Sequence, residues 1–213
     1  MASTKEGPLG NFSGKIGNVV AYEMFGKTVM RGRPSGKRRP AQGALKQAQS
    51  DFSRVMKVMQ AARSAVRVGF NPQALGRSAF HAAMSVNLVN YRNSASPGDL
   101  HWLVISQGER AWAKDVVLTI EGNKAVVTWG DPEPGKPYNT GDQVMLLALN
   151  DSNLDSSVNL QAAQRKEKRA ELQLPPAKEG ENILVFMAFH NPIEASSLKS
   201  LENVSNSMLI GKA

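Results

Sequence analysis

The sequence contains no cysteine among its 213 residues. This absence excludes disulfide scaffolds, zinc sites built from thiolates and cysteine nucleophiles. The sequence also has no run of about 18 apolar residues, so we expect no membrane-spanning helix. Residues 1–10 do not combine a basic end with an apolar stretch. We therefore expect no signal peptide and a cytoplasmic location.

The charge is unevenly distributed along the chain, whose formal net charge is +8. Residues 1–100 carry 15 Lys and Arg against 4 Asp and Glu, and residues 101–213 carry 11 against 14. Such asymmetry between halves predicts two modules with different surroundings. Because a Pro/Gly/Ser-containing stretch lies at 93–99, we place the modules at 1–98 and 99–213.

The first module is predicted to hold a β-hairpin and two helices. Short runs rich in β-branched residues at 19–22 and 28–30 flank Gly26, where a turn can form. Apolar residues then recur at steps of three and four over 42–67, which predicts a long helix that ends near Gly69. A similar pattern predicts a second helix over 74–89.

The second module changes to short β-type runs separated by turn residues. These runs lie at 116–120, 125–129, 144–149, 158–160, 170–174, 183–189 and 206–210. Seven short strands predict a β-sandwich of the immunoglobulin or fibronectin type III kind, with Trp129 in its core. The tyrosine usual at one corner of that fold is missing after Pro175. The expected fold class is α+β. The two helices either belong to a separate module or pack on the sandwich.

No catalytic arrangement is evident in the sequence. Its three histidines, His81, His101 and His190, are isolated from one another. Acidic residues such as Asp142 border predicted turns, where solvation and turn chemistry explain them. Nucleophile-elbow and dinucleotide-binding glycine motifs are both absent. We therefore expect a non-enzymatic protein with no cofactor, no metal site and no catalytic residue.

The strongest functional candidate is a basic segment at 27–39, which contains no acidic residue. Its six cations are Lys27, Arg31, Arg33, Lys37, Arg38 and Arg39. Three further cations fall on the polar side of the predicted long helix: Lys46, Arg54 and Lys57. An extended basic segment can follow a phosphate backbone, and Arg can bind phosphate through two hydrogen bonds.

Two function classes follow from this segment. The first is a binding or structural protein that takes part in assembly, including self-association, because a basic segment can pack on an acidic protein surface. The second is a nucleic-acid-binding protein that uses residues 27–57. Interleaved Tyr or Trp residues for base stacking are lacking, because Phe25 is the only aromatic ring near the segment. No helix-turn-helix or zinc-finger pattern provides base readout. A membrane partner is not expected.

The sequence resembles a bacterial family known only as a domain of unknown function. The resemblance begins with the string GNFSGKIGNVV at 10–20. It continues in order through RGRP (31–34), QAQ (47–49) with Phe52, RVGF (67–70), VNL (86–88), GDQVM (141–145), LQLP (172–175) and VSNSMLIG (204–211). It therefore spans nearly the whole chain.

The resemblance implies no enzyme activity, cofactor or catalytic residue. The part from the Gly-rich hairpin to the Gln-rich helix also resembles segments of phage-associated proteins. At 40–43 the sequence reads PAQG, where the family pattern has an Asn-Pro-x-Thr-like entry to the helix. This departure removes a good helix N-cap.

Overall fold

The computed structural model describes residues 3–4, 12–34, 40–96, 98–192 and 200–213. The chain divides into two compact units, Met1–Gly43 and Ala44–Ala213. This division differs from the predicted modules, 1–98 and 99–213, whose boundary stays a prediction. In the described part, none of the helices is long and apolar enough to cross a membrane.

The first unit is an antiparallel sheet in which neighbouring strands follow chain order. Its strands are β1 (Ser3–Thr4), β2 (Phe12–Ile16), β3 (Val19–Met24) and β4 (Lys27–Gly32). The predicted hairpin is confirmed as β3 and β4. Its turn places Phe25 and Gly26 at φ values of 51° and 71°, a geometry in which glycine is favoured. Strand β2 was not predicted; it contains Gly14 at φ 128°.

Three α-helices follow the N-terminal sheet among the described residues, where the sequence predicts two. They are α1 (Gly43–Ala61), α2 (Arg63–Gly69) and α3 (Ala79–Asn93). The predicted long helix is interrupted at Ala62, although helical hydrogen bonds continue from Ala62 to Val58 and from Val66 to Ala62. The predicted start of the last helix at 74 is wrong. Ser78 caps this helix instead, because its Oγ accepts a hydrogen bond from the amide of His81 at 3.1 Å.

The described part of the second unit also contains seven strands, which match the seven predicted runs. They are β5 (Val117–Glu121), β6 (Lys124–Thr128), β7 (Gln143–Asn150), β8 (Ser156–Gln164), β9 (Arg169–Gln173), β10 (Ile183–His190) and β11 (Met208–Lys212). They form two antiparallel sheets, one ordered β5–β6–β9 and the other β11–β10–β7–β8. The α+β class is therefore confirmed.

The sheet made of β11, β10, β7 and β8 contributes to two cores. Its side chains at one set of alternating positions, among them Leu147 and Phe186, join a core with residues of all three helices. The intervening positions, among them Leu146 and Phe189, join a second core with the three-stranded sheet. Trp129 lies in this second core, as predicted. The sheet is thus covered on both faces, which explains the uninterrupted apolar runs of β7 and β10.

A buried ionic network lies where β7 begins. Asp142 is 1% exposed and its carboxylate accepts from Arg110 Nε at 2.9 Å and from Arg165 Nε at 3.2 Å. Arg110 also donates to the carbonyl oxygen of Glu202. Arg165 donates to the carbonyl oxygen of Ala111 at 2.7 Å, which joins distant parts of the chain.

The network corrects the interpretation of Asp142 as a solvated turn residue. The amide of Asn139 donates to Asp142 Oδ2 at 3.0 Å, so the carboxylate does take part in the turn before β7. Its main role is to provide the negative charge between two buried guanidinium groups. Sequence spacing does not reveal this role, because the partners lie 32 and 23 residues away.

We expect Asp142→Asn to lower the free energy of unfolding by about 3–5 kcal/mol, because two buried guanidinium groups lose the carboxylate they share. Urea denaturation measures this loss. The matched control is Asp155→Asn at an exposed position, for which we expect a change within about 0.5 kcal/mol. Equal stability of the two variants would contradict the assigned role.

We expect His190 to make stability depend on pH. Burial lowers the pKa of His190, and a hydrogen bond to the Leu160 carbonyl oxygen and the charge of Asp142 oppose this lowering in part. The unfolded chain therefore binds a proton below about pH 6.5 that the folded chain does not bind. Stability should fall as the pH drops from 7.5 to 5.5, and denaturant unfolding of His190→Gln should show a smaller fall. An equal fall in both proteins would argue against this origin.

Candidate functional site

The structure places part of the basic segment on the N-terminal sheet. Lys27 and Arg31 lie on β4 and Arg33 follows it, and all three are exposed. The remaining cations of the segment, Lys37, Arg38 and Arg39, lie outside the described residues. The prediction of an extended segment is therefore tested only as far as Pro34.

Strand pairing brings three cations to one face of this sheet. Arg31 pairs with Val20, and Val20 pairs with Lys15 on the other side, so these three residues form one row. Lys27 pairs with Met24, four residues along β3 from Val20, and therefore points to the same face. The acidic side chain of β3, Glu23, alternates to the opposite face.

Tyr22 lies on the cationic face, between the two rows, where it pairs with Val29. We call this set, Lys15, Tyr22, Lys27 and Arg31, the basic face. Lys15 and Tyr22 were not among the predicted site residues. The signal that reveals them is the strand register, which depends on the positions of two tight turns and on the unrecognised strand β2.

The cations predicted on the helix form a group of their own in the second unit. Lys46, Arg54 and Lys57 all lie on α1 and are exposed. Their spacing places them within one side of the helix, as predicted. None of them makes an ion pair among the residues that the structure describes.

The histidines do not form a site. His81 and His101 are exposed, whereas His190 is 5% exposed and its Nε2 lies 2.7 Å from the carbonyl oxygen of Leu160. Within the described ranges, His, Asp and Glu nowhere cluster in groups of three that could hold a metal ion. The buried carboxylate of Asp142 is occupied by two arginines.

Two cavities in the described part of the second unit are lined by cations that were not among the predicted site residues. One, of about 370 Å³, lies among the helices and is lined by Arg63, Arg67 and Phe80. The other, of about 270 Å³, lies at the end of the β-sheets and includes Arg165. Burial lowers the pKa of Arg165, and the adjacent Asp142 carboxylate opposes this effect.

Comparison with known proteins identifies a family without assigning a function. No curated protein matches the chain. The model of a family of unknown function, DUF6266, matches residues 11–211. This match confirms the expectation of a domain of unknown function that spans nearly the whole sequence. The chain therefore belongs to the family of unknown function DUF6266.

Proposed function

We propose that the protein is a non-enzymatic binding or structural protein that takes part in assembly through its N-terminal sheet. The observation that carries this proposal is the poor burial of that sheet. Among its described residues, Ala21 is the one hydrophobic residue that is buried. Large hydrophobic side chains are exposed at Ile16, Val19, Met24, Phe25 and Met30. A small sheet needs a covered apolar face for stability in water, so a binding partner would supply the missing cover.

Strand β4 provides an edge at which a partner can add a strand. It is the last strand in the sheet order within the described residues, and it carries Lys27 and Arg31 on one face. Two copies of β4 paired side by side would bring like charges together, which is unfavourable. This repulsion favours an acidic partner surface over a second β4 strand.

Another copy of the chain offers a half of opposite net charge, with 14 acidic residues against 11 Lys and Arg. Residues 101–213 hold 14 of the 18 acidic residues, whereas the first hundred residues carry most of the positive charge. Contact between the basic N-terminal sheet of one copy and the acidic half of the next would be head-to-tail. Contacts of this kind build rings or filaments. This role agrees with the resemblance of the N-terminal part to segments of phage-associated proteins.

The β-sheets support a finer proposal about the fold, a fibronectin type III-like topology. The first, second and fifth strands share one sheet, and the third, fourth, sixth and seventh share the other. This division of seven strands, together with buried Trp129, is typical of such sandwiches. The missing tyrosine after Pro175 is the departure from the pattern.

We expect the full chain to form species larger than its 23.0 kDa monomer in sedimentation velocity at 50 mM salt and to dissociate at 1 M salt. Reversing two charges with Lys27→Glu and Arg31→Glu should weaken association at least tenfold, because repulsion would replace attraction. A control with the exposed Lys178 changed to Glu should associate normally. A monomer at every concentration, or equal association of both variants, would overturn the proposal.

Nucleic-acid binding is the second candidate function, and the basic face favours it. Three cations surround a tyrosine there, which combines phosphate contacts with a ring on which a base can stack. The cations of α1, Lys46, Arg54 and Lys57, provide a second positively charged surface. The sheet would bind single strands without reading their sequence.

We expect a fluorescent oligothymidine to bind the full chain with an affinity that falls steeply as salt rises. Arg31→Ala should weaken binding severalfold and reduce the salt slope by about one. Tyr22→Leu should weaken binding about tenfold with little change in the salt slope, because it removes stacking rather than charge. Lys178→Ala is the control. Absence of binding at 50 mM salt, or equal affinities of all variants, would exclude this function.

A further inference from the structure

Helices α1 and α2 share an apolar stripe with the spacing of a coiled-coil seam. Its residues alternate steps of three and four along the chain: Leu45, Ala48, Phe52, Val55, Met59, Ala62 and Val66. From Val55 onward the side chains are fully buried in the core that the helices form with the sheet. Before that point the large side chains are open to solvent, since Leu45 is 59% exposed and Phe52 is 45% exposed. We call Leu45, Ala48 and Phe52 the open seam.

The charged residues of α1 do not obstruct the open seam. Its cations lie on the outer side of the helix, away from the seam: Lys46, Arg54 and Lys57. The positions that flank the open part of the seam are occupied by Ala44, Gln49 and Asp51. No cation flanks the seam, so two copies of α1 can approach each other here without repulsion between their positive charges.

An ion pair lies at the rim of the open seam. Asp51 Oδ2 lies 3.7 Å from Nε of Arg92, which belongs to α3. In a twofold contact the same patch meets itself, so every residue finds its counterpart across the axis. A rim that holds one acid beside one base is suited to such a contact, because rotation brings Asp51 of each copy towards Arg92 of the other. The charges thus favour a second copy of this chain as the occupant of the seam.

The sizes of the seam residues determine how two copies of α1 can pair. An antiparallel pair overlaps the open halves of the two seams and sets Phe52 of each copy against Ala48 of the other. A large side chain opposite a small one fills space well. A parallel pair would instead set Phe52 against Phe52. It would also bring together the halves that begin at Val55, which their own chains already cover. Antiparallel pairing therefore fits the open seam.

We propose that the open seam is a twofold contact between two copies of this chain, made by antiparallel α1 helices. Its three side chains bury far less than each partner buries in a stable interface, about 800 Å², so we expect the pairing to be weak. Copies that another contact already holds close would pair more readily, because their effective concentration is high. The seam lies in the second unit, and its pairing does not require the N-terminal sheet.

The test uses the absence of cysteine, because a single introduced thiol then reports which residues approach each other between copies. Gln49→Cys places the thiol beside the seam, near the twofold axis of the antiparallel pair. Ser50→Cys is the matched control, since the next residue along the helix faces away from the seam. With bismaleimidoethane and protein at about 1 mM in 1 M salt, we expect Gln49→Cys chains to be joined in pairs at least fivefold more than Ser50→Cys chains.

High salt separates this contact from assembly through β4. Salt screens the charges of the N-terminal sheet, whereas it does not weaken an apolar contact. Adding Lys27→Glu and Arg31→Glu to the Gln49→Cys chain should therefore leave its cross-linking unchanged. Loss of cross-linking in this variant would mean that the N-terminal sheet, and not the seam, brings the copies together, which refutes the proposal.

Substitutions in the seam test its packing, each made in the Gln49→Cys chain. Phe52→Glu should reduce cross-linking at least tenfold, because it puts a charge into the seam. Leu75→Glu, at another exposed apolar position, should not reduce it. Phe52→Ala should also weaken pairing, and its combination with Ala48→Phe should restore it, because each layer again holds one large and one small side chain. Melting temperatures check that these substitutions leave the fold intact.

Three further outcomes would overturn the proposal. Equal cross-linking of Gln49→Cys and Ser50→Cys would show that the seams do not meet. Equal cross-linking of Phe52→Glu and Leu75→Glu would place the contact elsewhere. Cross-linking in cell extract to another protein alone, with no paired chains in purified protein, would assign the seam to a different partner. None of these three results bears on assembly through β4, which the sedimentation experiments test separately.

Discussion

The contact on which the second unit depends is the one between the carboxylate of Asp142 and two buried arginines. Arg110 extends from it to the segment before β11, and Arg165 extends from it to the segment before β5. The carbonyl oxygen of Arg165 also accepts the indole N–H of Trp129 at 3.0 Å, which joins the network to the core between the sheets. Removing charges from water is costly, so the network holds only while all its hydrogen bonds are in place.

The sheet made of β11, β10, β7 and β8 is covered on both faces, and this coverage determines how the elements around the ionic network are arranged. Strands β7 and β10 have no face left for water, because helices cover one side and the three-stranded sheet covers the other. The helices therefore stabilise the same sheet as the β-strands do. Gly69 illustrates how close this packing is, since a Cβ atom there would lie 2.1 Å from the carbonyl oxygen of Ile105. Substitution at this position would require the end of α2 to move.

Much of the secondary structure could be predicted from the sequence, because apolar runs and turn residues are local signals. Such local signals predicted the seven strands of the second half and the β3–β4 hairpin. Strand β2 could not be predicted, since its residues provide little alternation and include Gly14. The helix start at Ser78 was missed because the apolar pattern begins before the cap. The partners of Asp142 and the place of Tyr22 between cations depend on contacts or register that only the folded chain defines.

The pairing pattern also determines the order in which the parts can form. Strands β2, β3 and β4 join residues close in sequence, so their hairpins can close within microseconds. The Arg110 contact with Glu202 spans 92 residues, and Ser106 donates to the carbonyl oxygen of Ser205 across 99. Such long loops slow folding, because their closure entropy is lost before the contacts form. The hairpins of the N-terminal sheet can therefore close before the ionic network of the second unit forms.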